Sequence, residues 1–330
     1  MKVGLYVASQ WQAGTDLGPQ IGNLVEQVRL ARGCGFHSLW TAHHLLVAPM
    51  QMFQAMPLLA RLAAEAEGMT VGPAIFLLPM ANPVVLAEEV ATLDWITGGR
   101  FVLAVGMGYR PEEFEAVGAK QSERVGRMVE GIELVRRLWR EDRVTHRGRY
   151  WQVTDAGPSL KPKQPGGPPI WIGGSALPAV RRAARLGDAW IASFSASIAE
   201  LAETIALCRE ERQASGAPAF AEWPVCREVY VGADDRTALA EARPALLYKY
   251  KAYASWGNER VSAEAFERNF DAFCKGRFII GDESRVLDEI HRYRDVGFDH
   301  MILRTQWPGL GQEPTLKSIE RLGNVIARLR

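Results

Sequence analysis

The sequence predicts a single-domain α/β protein, a TIM (β/α)8 barrel with insertions. Three observations carry that prediction. The stretch 70–114 reads as a complete strand–helix–strand unit, and both its strands are apolar throughout, as parallel strands covered on both faces require. A junction of helical pattern, glycine and short apolar strand recurs five times, as GCGFHSLW (33–40), AEGMTVGPAIF (66–76), TGGRFVLAV (97–105), RLGDAWIA (185–192) and DVGFDHMILR (295–304). The runs KVGLYVA (2–8), PPIWIGG (168–174) and VCREVYVGA (225–233) bring the candidate parallel strands to eight, the number a TIM barrel needs. An open doubly wound sheet is the runner-up, but it usually has fewer strands.

Each element has a local cause. The first strand ends near Ala8-Ser9-Gln10, ahead of a loop holding Trp11, and a helix follows from about Pro19 to Arg32. The second strand, HSLWTA, ends at His43-His44. The loop LLVAPMQMF then supplies methionines and Phe53 for an apolar pocket, before a helix from about Gln54 to Glu67. The run from Val71 to Leu78 is too short for a buried helix and reads as the third strand. Asn82 followed by Pro83 starts the next helix, a capping side chain before proline at the first helical position. Val84, Val85, Ala87, Ala91, Leu93 and Ile96 form its expected buried side, and Gly98-Gly99 ends it. The fourth strand, from Phe101 to Val105, breaks at Gly106-Met107-Gly108.

Beyond it come a turn at PEEF, a helix from about Ser122 to Arg140, and a hairpin over 143–153 turning at Arg147-Gly148. The fifth strand ends at Gly173-Gly174-Ser175 with Pro178 opening a helix, and the sixth at Ser193-Phe194. Helices from about Ser197 to Ser215 and Asp235 to Trp256 flank the seventh strand, with a helical insertion over 263–275. The eighth strand ends at Arg304-Thr305-Gln306-Trp307, and a helix from Thr315 closes the ring. The whole of 1–330 is one domain, with insertions near 143–168 and 256–283.

Composition narrows the function. A chain of 330 residues can bury a large core. With 39 basic and 38 acidic residues the formal charge is +1, so electrostatics favour neither nucleic acid nor an anionic membrane. Cys34, Cys208, Cys226 and Cys274 are scattered, as in reduced structural thiols of a cytoplasmic protein. The opening MKVGLYVASQ reads as a strand rather than a signal peptide. No stretch approaches the roughly 20 apolar residues of a membrane helix.

Chemistry in a barrel sits at the C-terminal strand ends. Of the adjacent pair His43-His44, alternation lets one face the axis, where a histidine moves protons near neutral pH. The expected metal ligand count is short. GGSALP (173–178) offers backbone N–H groups, a hydroxyl and a helix N-terminus, a phosphate cradle. Gly106-Met107-Gly108 is no dinucleotide fingerprint, because Pro111 stands where the third glycine belongs. No G-x-S-x-G elbow and no facing carboxylate pair occurs; Glu112 and Glu113 read as a helix N-terminus. Arg304 serves either an anionic group or a salt bridge at the rim. The pattern points to a barrel enzyme binding a phosphorylated ligand, with a cofactor supplying the difficult chemistry.

Several runs carry a family resemblance. They are LWTAHH (39–44), LPMANPVVLAEEVATLDWITGGRFVLAVGMGYRPEEFEAVG (78–118), RRLWRED (136–142), PPIWIGGSALPAVRRAARLGDAWI (168–191) and GFDHMILRTQWPG (297–309). Over nearly its whole length the chain resembles the bacterial luciferase-like flavin-dependent oxidoreductases. That resemblance implies a TIM barrel, usually a homodimer, with FMN at the C-terminal face and a non-proline cis peptide at Ala74-Ile75. It implies His43 as the catalytic acid/base. Cofactor contacts fall to Ala74, Ile75, Gly106, Met107, Gly108, Tyr109, Gly173, Gly174, Ser175 and Ser193, and substrate contacts to His44, Phe194, Arg304 and Gln306. Met107 departs from the luciferase pattern of a phosphate-holding arginine; Arg110 or another cation is the expected substitute. The implied activity is monooxygenation of a small, mostly apolar substrate by reduced FMN and O2, the flavin coming from a separate NAD(P)H:flavin reductase. The alternatives are hydride transfer with a deazaflavin coenzyme, and a catalytically silent flavin-binding subunit.

Overall fold

Eight parallel strands close into a ring in the computed structural model, which describes residues 1–256 and 268–329. They are β1 (Lys2–Tyr6), β2 (Ser38–Thr41), β3 (Thr70–Pro73, resuming at Phe76–Leu77), β4 (Leu103–Gly106), β5 (Ile170–Gly173), β6 (Ala189–Ile191), β7 (Pro224–Val231) and β8 (His300–Arg304). Strand β1 pairs with β8 and β2, β2 with β3, β4 with the second half of β3 and with β5, and β5 with β6. Parallel bridges Val71–Phe101 and Ala192–Val225 complete the β3–β4 and β6–β7 seams, and β7 meets β8. The predicted barrel is therefore the observed one.

The glycine junctions do what their positions suggest. Gly35, Gly68, Gly98, Gly99 and Gly297 all adopt positive φ, turning the chain out of a helix and into the sheet. Gly187 is the exception, with φ −83. There the need is space: a Cβ would sit 2.8 Å from the Ala189 carbonyl oxygen and 2.9 Å from that of Ala183.

The barrel interior is filled by Tyr6, Trp40, Ala42, Val102, Ala104, Trp171, Ile191, Cys226 and Ile302. Trp40 and Trp171 stack with centroids 5.0 Å apart. Ser38 accepts from the Trp40 indole N–H at 2.7 Å and faces His300 Nε2 at 2.7 Å, which plugs the opposite end of the barrel from the site.

Three expectations need correction. The third strand is not one run: it breaks at Ala74-Ile75, a cis non-proline peptide as the resemblance implies, and a 3-10 turn follows at Leu78–Met80. In the helix Pro83–Ile96 the Asn82 side chain caps Val84 N–H as expected, but Val85 and Ile96 face solvent. Leu86, Val90 and Asp94 hold the buried stripe instead. Buried Asp94 accepts from the backbone N–H and side-chain amide of Gln164, both at 2.7 Å. Finally, PEEF is a short helix, Pro111–Ala116, rather than a turn.

The hairpin is present as Val144–Arg147 against Gln152–Ala156. A three-residue strand, Ile279–Gly281, pairs in parallel beside the end of β7 and was not anticipated. Of the insertion over 256–283 and the helix over 263–275, residues 257–267 lie outside the described residues, and the described part includes a helix at Phe270–Cys274. No described helix is long and apolar enough to cross a membrane.

One buried carboxylate joins β7, β8 and the helix Asp235–Ser255. Both Glu228 oxygens accept from Arg304, at 2.6 and 2.9 Å, with further donors from Lys249, Tyr250 and Trp307. Burial alone would raise the Glu228 pKa, but Arg304 and Lys249 hold it down at about 2. Glu222 also lies near 2, its burial outweighed by His300 and Lys2. A depressed carboxylate stabilises the fold above its unfolded value and loses that contribution as it protonates. Stability should therefore fall as pH drops from about 4.5 towards about 2, read by circular dichroism in urea. Glu228→Gln leaves two buried cations without their counter-charge and should cost about 3–5 kcal/mol in the same assay; an unchanged midpoint would refute the network's structural role.

Candidate active site

The strand ends converge around Ile75. The cis peptide turns this side chain across the mouth, where its Cδ1 occupies the space a Cβ on Gly106 would need and lies 3.2 Å from a Cβ position on Gly173. Ala74, Ile75, Gly106 and Gly173 therefore meet at one point, from three different strands.

The two histidines are held in opposite ways. His43 stacks on Phe76 with centroids 4.3 Å apart, and its Nδ1 accepts the Leu77 backbone N–H at 3.2 Å. A ring nitrogen that accepts carries no proton, so His43 presents Nε2–H. Burial first, and then His44, pull its pKa down to about 4. His43 is thus a neutral hydrogen-bond donor near pH 7, and the acid/base role expected of it finds no support in this geometry. His44 places Nδ1 3.0 Å from Glu113 Oε1. Burial would raise Glu113, but His44, the Leu45 N–H and Arg110 together lower it, so the carboxylate is ionised and Nδ1 donates. Tyr109, Tyr253 and Trp256 surround the His44 ring at centroid distances of 6.0, 6.3 and 5.9 Å.

The residues expected to form an anion cradle lie at the ends of β5 and β6. Ser175 and Ser193 hydroxyls are 3.0 Å apart, and the helix Leu177–Leu186 begins without a side-chain cap. A Cβ on Gly174 would sit 2.6 Å from that of Ala179, so this helix N-terminus packs directly on the loop. A cavity of about 440 Å³ opens beside Ser175, Ser193 and Arg277. The cation expected to replace the arginine missing at Met107 is not Arg110. Arg110 donates to the carbonyls of Leu45 and Leu46 and lies 4.7 Å over Trp256. Arg182 stands there instead, its Nη1 3.4 Å from Met107 Sδ, with burial lowering its pKa and no carboxylate partner among the described residues. Uncapped helix N–H groups and two hydroxyls form a donor set of the kind that suits a phosphate, and the Arg182 guanidinium stands on the same helix beside Met107.

Other expected residues are placed as follows. Gly108 has φ +73, and the Tyr109 carbonyl accepts from Gln121 at 2.6 Å. Phe194 packs edge-on to Tyr6 and lies 4.0 Å beneath the Arg304 guanidinium. Arg304 itself takes the salt-bridge option, to Glu228. Gln306 does not join the mouth: its amide is spent on Gln27 at 3.0 Å and the Leu310 carbonyl, because the chain leaves β8 towards the outer helices. Met50 is buried, and Met52 packs on the barrel interior. Glu113, Arg182, Glu228, Lys249, Tyr253 and Trp256 were missed. Their partners are distant in sequence, and only the RR pair closely following GGS carried any signal.

Comparison with known proteins agrees with this architecture. A family model described as luciferase-like monooxygenase matches residues 1–300. The F420-dependent glucose-6-phosphate dehydrogenase of Amycolatopsis mediterranei is 27% identical over 100% of this chain and 99% of its own length. Among solved structures, monooxygenase RslO1 from Streptomyces bottropensis superposes with TM-score 0.87 at 22% identity, covering 100% of this chain and 99% of that one. An F420-dependent secondary alcohol dehydrogenase, in complex with an F420-acetone adduct, gives TM-score 0.82 at 21% identity with the same coverage.

Arg182→Ala and Ser175→Ala should each weaken binding of a phosphate-bearing flavin or deazaflavin. Loss of one charge-assisted hydrogen bond is worth about 1.5–3 kcal/mol, or roughly 10- to 100-fold in Kd. Arg110→Ala should leave that Kd nearly unchanged. Equal effects at Arg182 and Arg110 in a fluorescence titration would move the phosphate site elsewhere.

Proposed function

The chain belongs to the luciferase-like monooxygenase family, and from that premise we propose that it is a deazaflavin-dependent oxidoreductase, moving a hydride between the coenzyme and a small, mostly apolar alcohol or carbonyl compound. The observation that carries this reading is full-length similarity to curated relatives. Proteins named F420-dependent glucose-6-phosphate dehydrogenase match 94–100% of this chain in several cases, at 27–28% identity.

The site is compatible with that chemistry. A deazaflavin accepts or returns a hydride and carries a phosphate that suits the Ser175, Ser193 and Arg182 cradle. Exchange between an alcohol and a carbonyl also needs a hydrogen-bond donor and a proton acceptor at the reacting oxygen. His43 Nε2–H supplies a donor at the strand ends. The aromatic side chains of Phe194, Tyr109, Tyr253 and Trp256 favour an apolar substrate body. A sugar phosphate is the less suitable substrate. Within the mouth, Arg304 and Lys249 already share Glu228 and are deeply buried, and Arg110 is spent on the Leu45 and Leu46 carbonyls.

The test is anaerobic. Purified protein is titrated with F420 and separately with reduced FMN, then given short-chain secondary alcohols. Tight F420 binding and alcohol-dependent bleaching of its visible absorption are the expected results. Binding of reduced FMN alone, with oxygen consumption and substrate oxygenation on admitting air, would replace this reading with monooxygenation served by a separate flavin reductase. Coenzyme binding with no turnover in either arm would indicate a silent subunit.

A further inference from the structure

The outer face of the helix Leu177–Leu186 carries a hollow that the site described above does not use. Pro178, Arg181, Arg182, Arg185 and Leu186 enclose about 460 Å³ there. A second hollow of about 360 Å³ shares Leu186 as a wall and lies against the C-terminal half of the helix Arg124–Arg140. Pro178 stands in the first turn of its helix, three residues beyond Ser175, and Arg182 reaches Met107 at the end of β4. The upper hollow therefore begins beside the residues expected to hold a phosphate, and the lower one leads away from them.

Charge is divided unevenly between the two. In the upper hollow Arg181 and Arg185 both lie on one carboxylate, Glu211 of the helix Ile198–Ala214, and Arg182 has no carboxylate partner among the described residues. Three cations against one carboxylate leave an excess of two. The lower hollow is balanced. Arg136 pairs with Asp188 at 2.8 Å and Arg137 with Glu141 at 2.7 Å, and Arg140 and Glu133 complete a set of three cations and three carboxylates. The Arg181 and Arg185 side chains are 53% and 58% exposed, so both turn hydrogen-bonding capacity towards solvent. Guanidiniums held this close repel one another, and an anion between them relieves that repulsion.

We propose that the upper hollow binds anionic groups that continue beyond the phosphate expected at Ser175 and Ser193. It thereby selects a coenzyme whose negative charge does not end at that phosphate. The assignment rests on the deazaflavin reading above and deepens it. A coenzyme of the F420 type carries a chain of glutamates past its phosphate, whereas FMN stops at the phosphate. Arginine suits such a chain because its planar fork takes a carboxylate through two parallel hydrogen bonds. The first one or two carboxylates gain most, since the lower hollow has no net charge to offer the rest. FAD presents the same chemistry in another form, as a second phosphate.

Fluorescence titration of the full-length protein at low salt tests this, with F420 of defined glutamate number and the same deazaflavin cut back to its phosphate. The tailed form should bind roughly 3- to 20-fold more tightly, as two exposed ion pairs allow. That advantage should be nearly complete with two glutamates and should shrink as salt rises. Arg181→Gln with Arg185→Gln should abolish the advantage while leaving the Kd of the truncated form unchanged. Glu211→Gln frees both guanidiniums and should enlarge the advantage, a gain that a merely structural role for these arginines would not produce. Equal Kd values for tailed and truncated forms, or a tail advantage that survives the double variant, would overturn the proposal. If neither deazaflavin binds and FMN does, the function proposed above fails, and the hollow is then judged on FAD against FMN. A preference for FAD that the double variant removes would assign the hollow to a second phosphate; equal affinities would refute it.

Discussion

Glu228 is the constraint on which the working end of this barrel depends. It is fully buried on β7 and gathers Arg304 from β8, Lys249 and Tyr250 from the helix Asp235–Ser255, and Trp307 from the following loop. A buried ion pair is weak evidence for net stability, because desolvation offsets most of the attraction. What it does fix is geometry. With Lys249 and Tyr250 pinned, Tyr253 one turn later reaches Gln10 at 3.0 Å and stacks on Trp256 with centroids 5.0 Å apart. Those two rings then stand beside His44. Lys249 shows how far one carboxylate is stretched: burial and Arg304 bring its pKa down to about 7, against the pull of Glu228.

The fold was legible because barrels repeat a small number of local rules. Asn82-Pro83, the glycine junctions and the apolar runs each state a boundary in a few residues. What failed were inferences requiring direction. Val85 and Ile96 are apolar yet exposed, since helical spacing says which residues share a face but not how wide the covered stripe is. The third strand read as continuous because a cis peptide between two apolar residues leaves no mark in composition. Strand Ile279–Gly281 was invisible at three residues.

The site was half legible for a related reason. Strand ends told where to look, and the HH and GGS motifs fall at the mouth and beside the cradle. Their roles were set by partners that sequence cannot see. His43 meets a backbone N–H 34 positions away, and His44 meets a carboxylate 69 positions away. Alternation led to the expectation that one ring of the pair faces the barrel axis. Past Thr41 the strand has ended, so both rings are free to engage neighbours across the mouth. Glu113 illustrates the same limit: on sequence it is a first-turn acidic residue, stabilising a helix N-terminus. In space it is a buried counter-charge.

Charge distribution explains how one mouth can hold an anion at its edge and stay apolar within. Arg304 and Lys249 lie deep and share Glu228, while Arg110 lies over an indole with its N–H groups on two carbonyls. None of these has full charge to offer a ligand. Arg182 has no carboxylate partner among the described residues, and it sits at the rim beside Met107, on the helix that opens beside Ser175. A phosphate therefore gains most at the rim, where charge is uncommitted and the ligand keeps part of its hydration. A charged group pushed inward would meet aromatic rings and neutralised pairs, with little to offset its lost water. The same field would suit a ligand that carries its charge at one end and brings an uncharged body to the mouth.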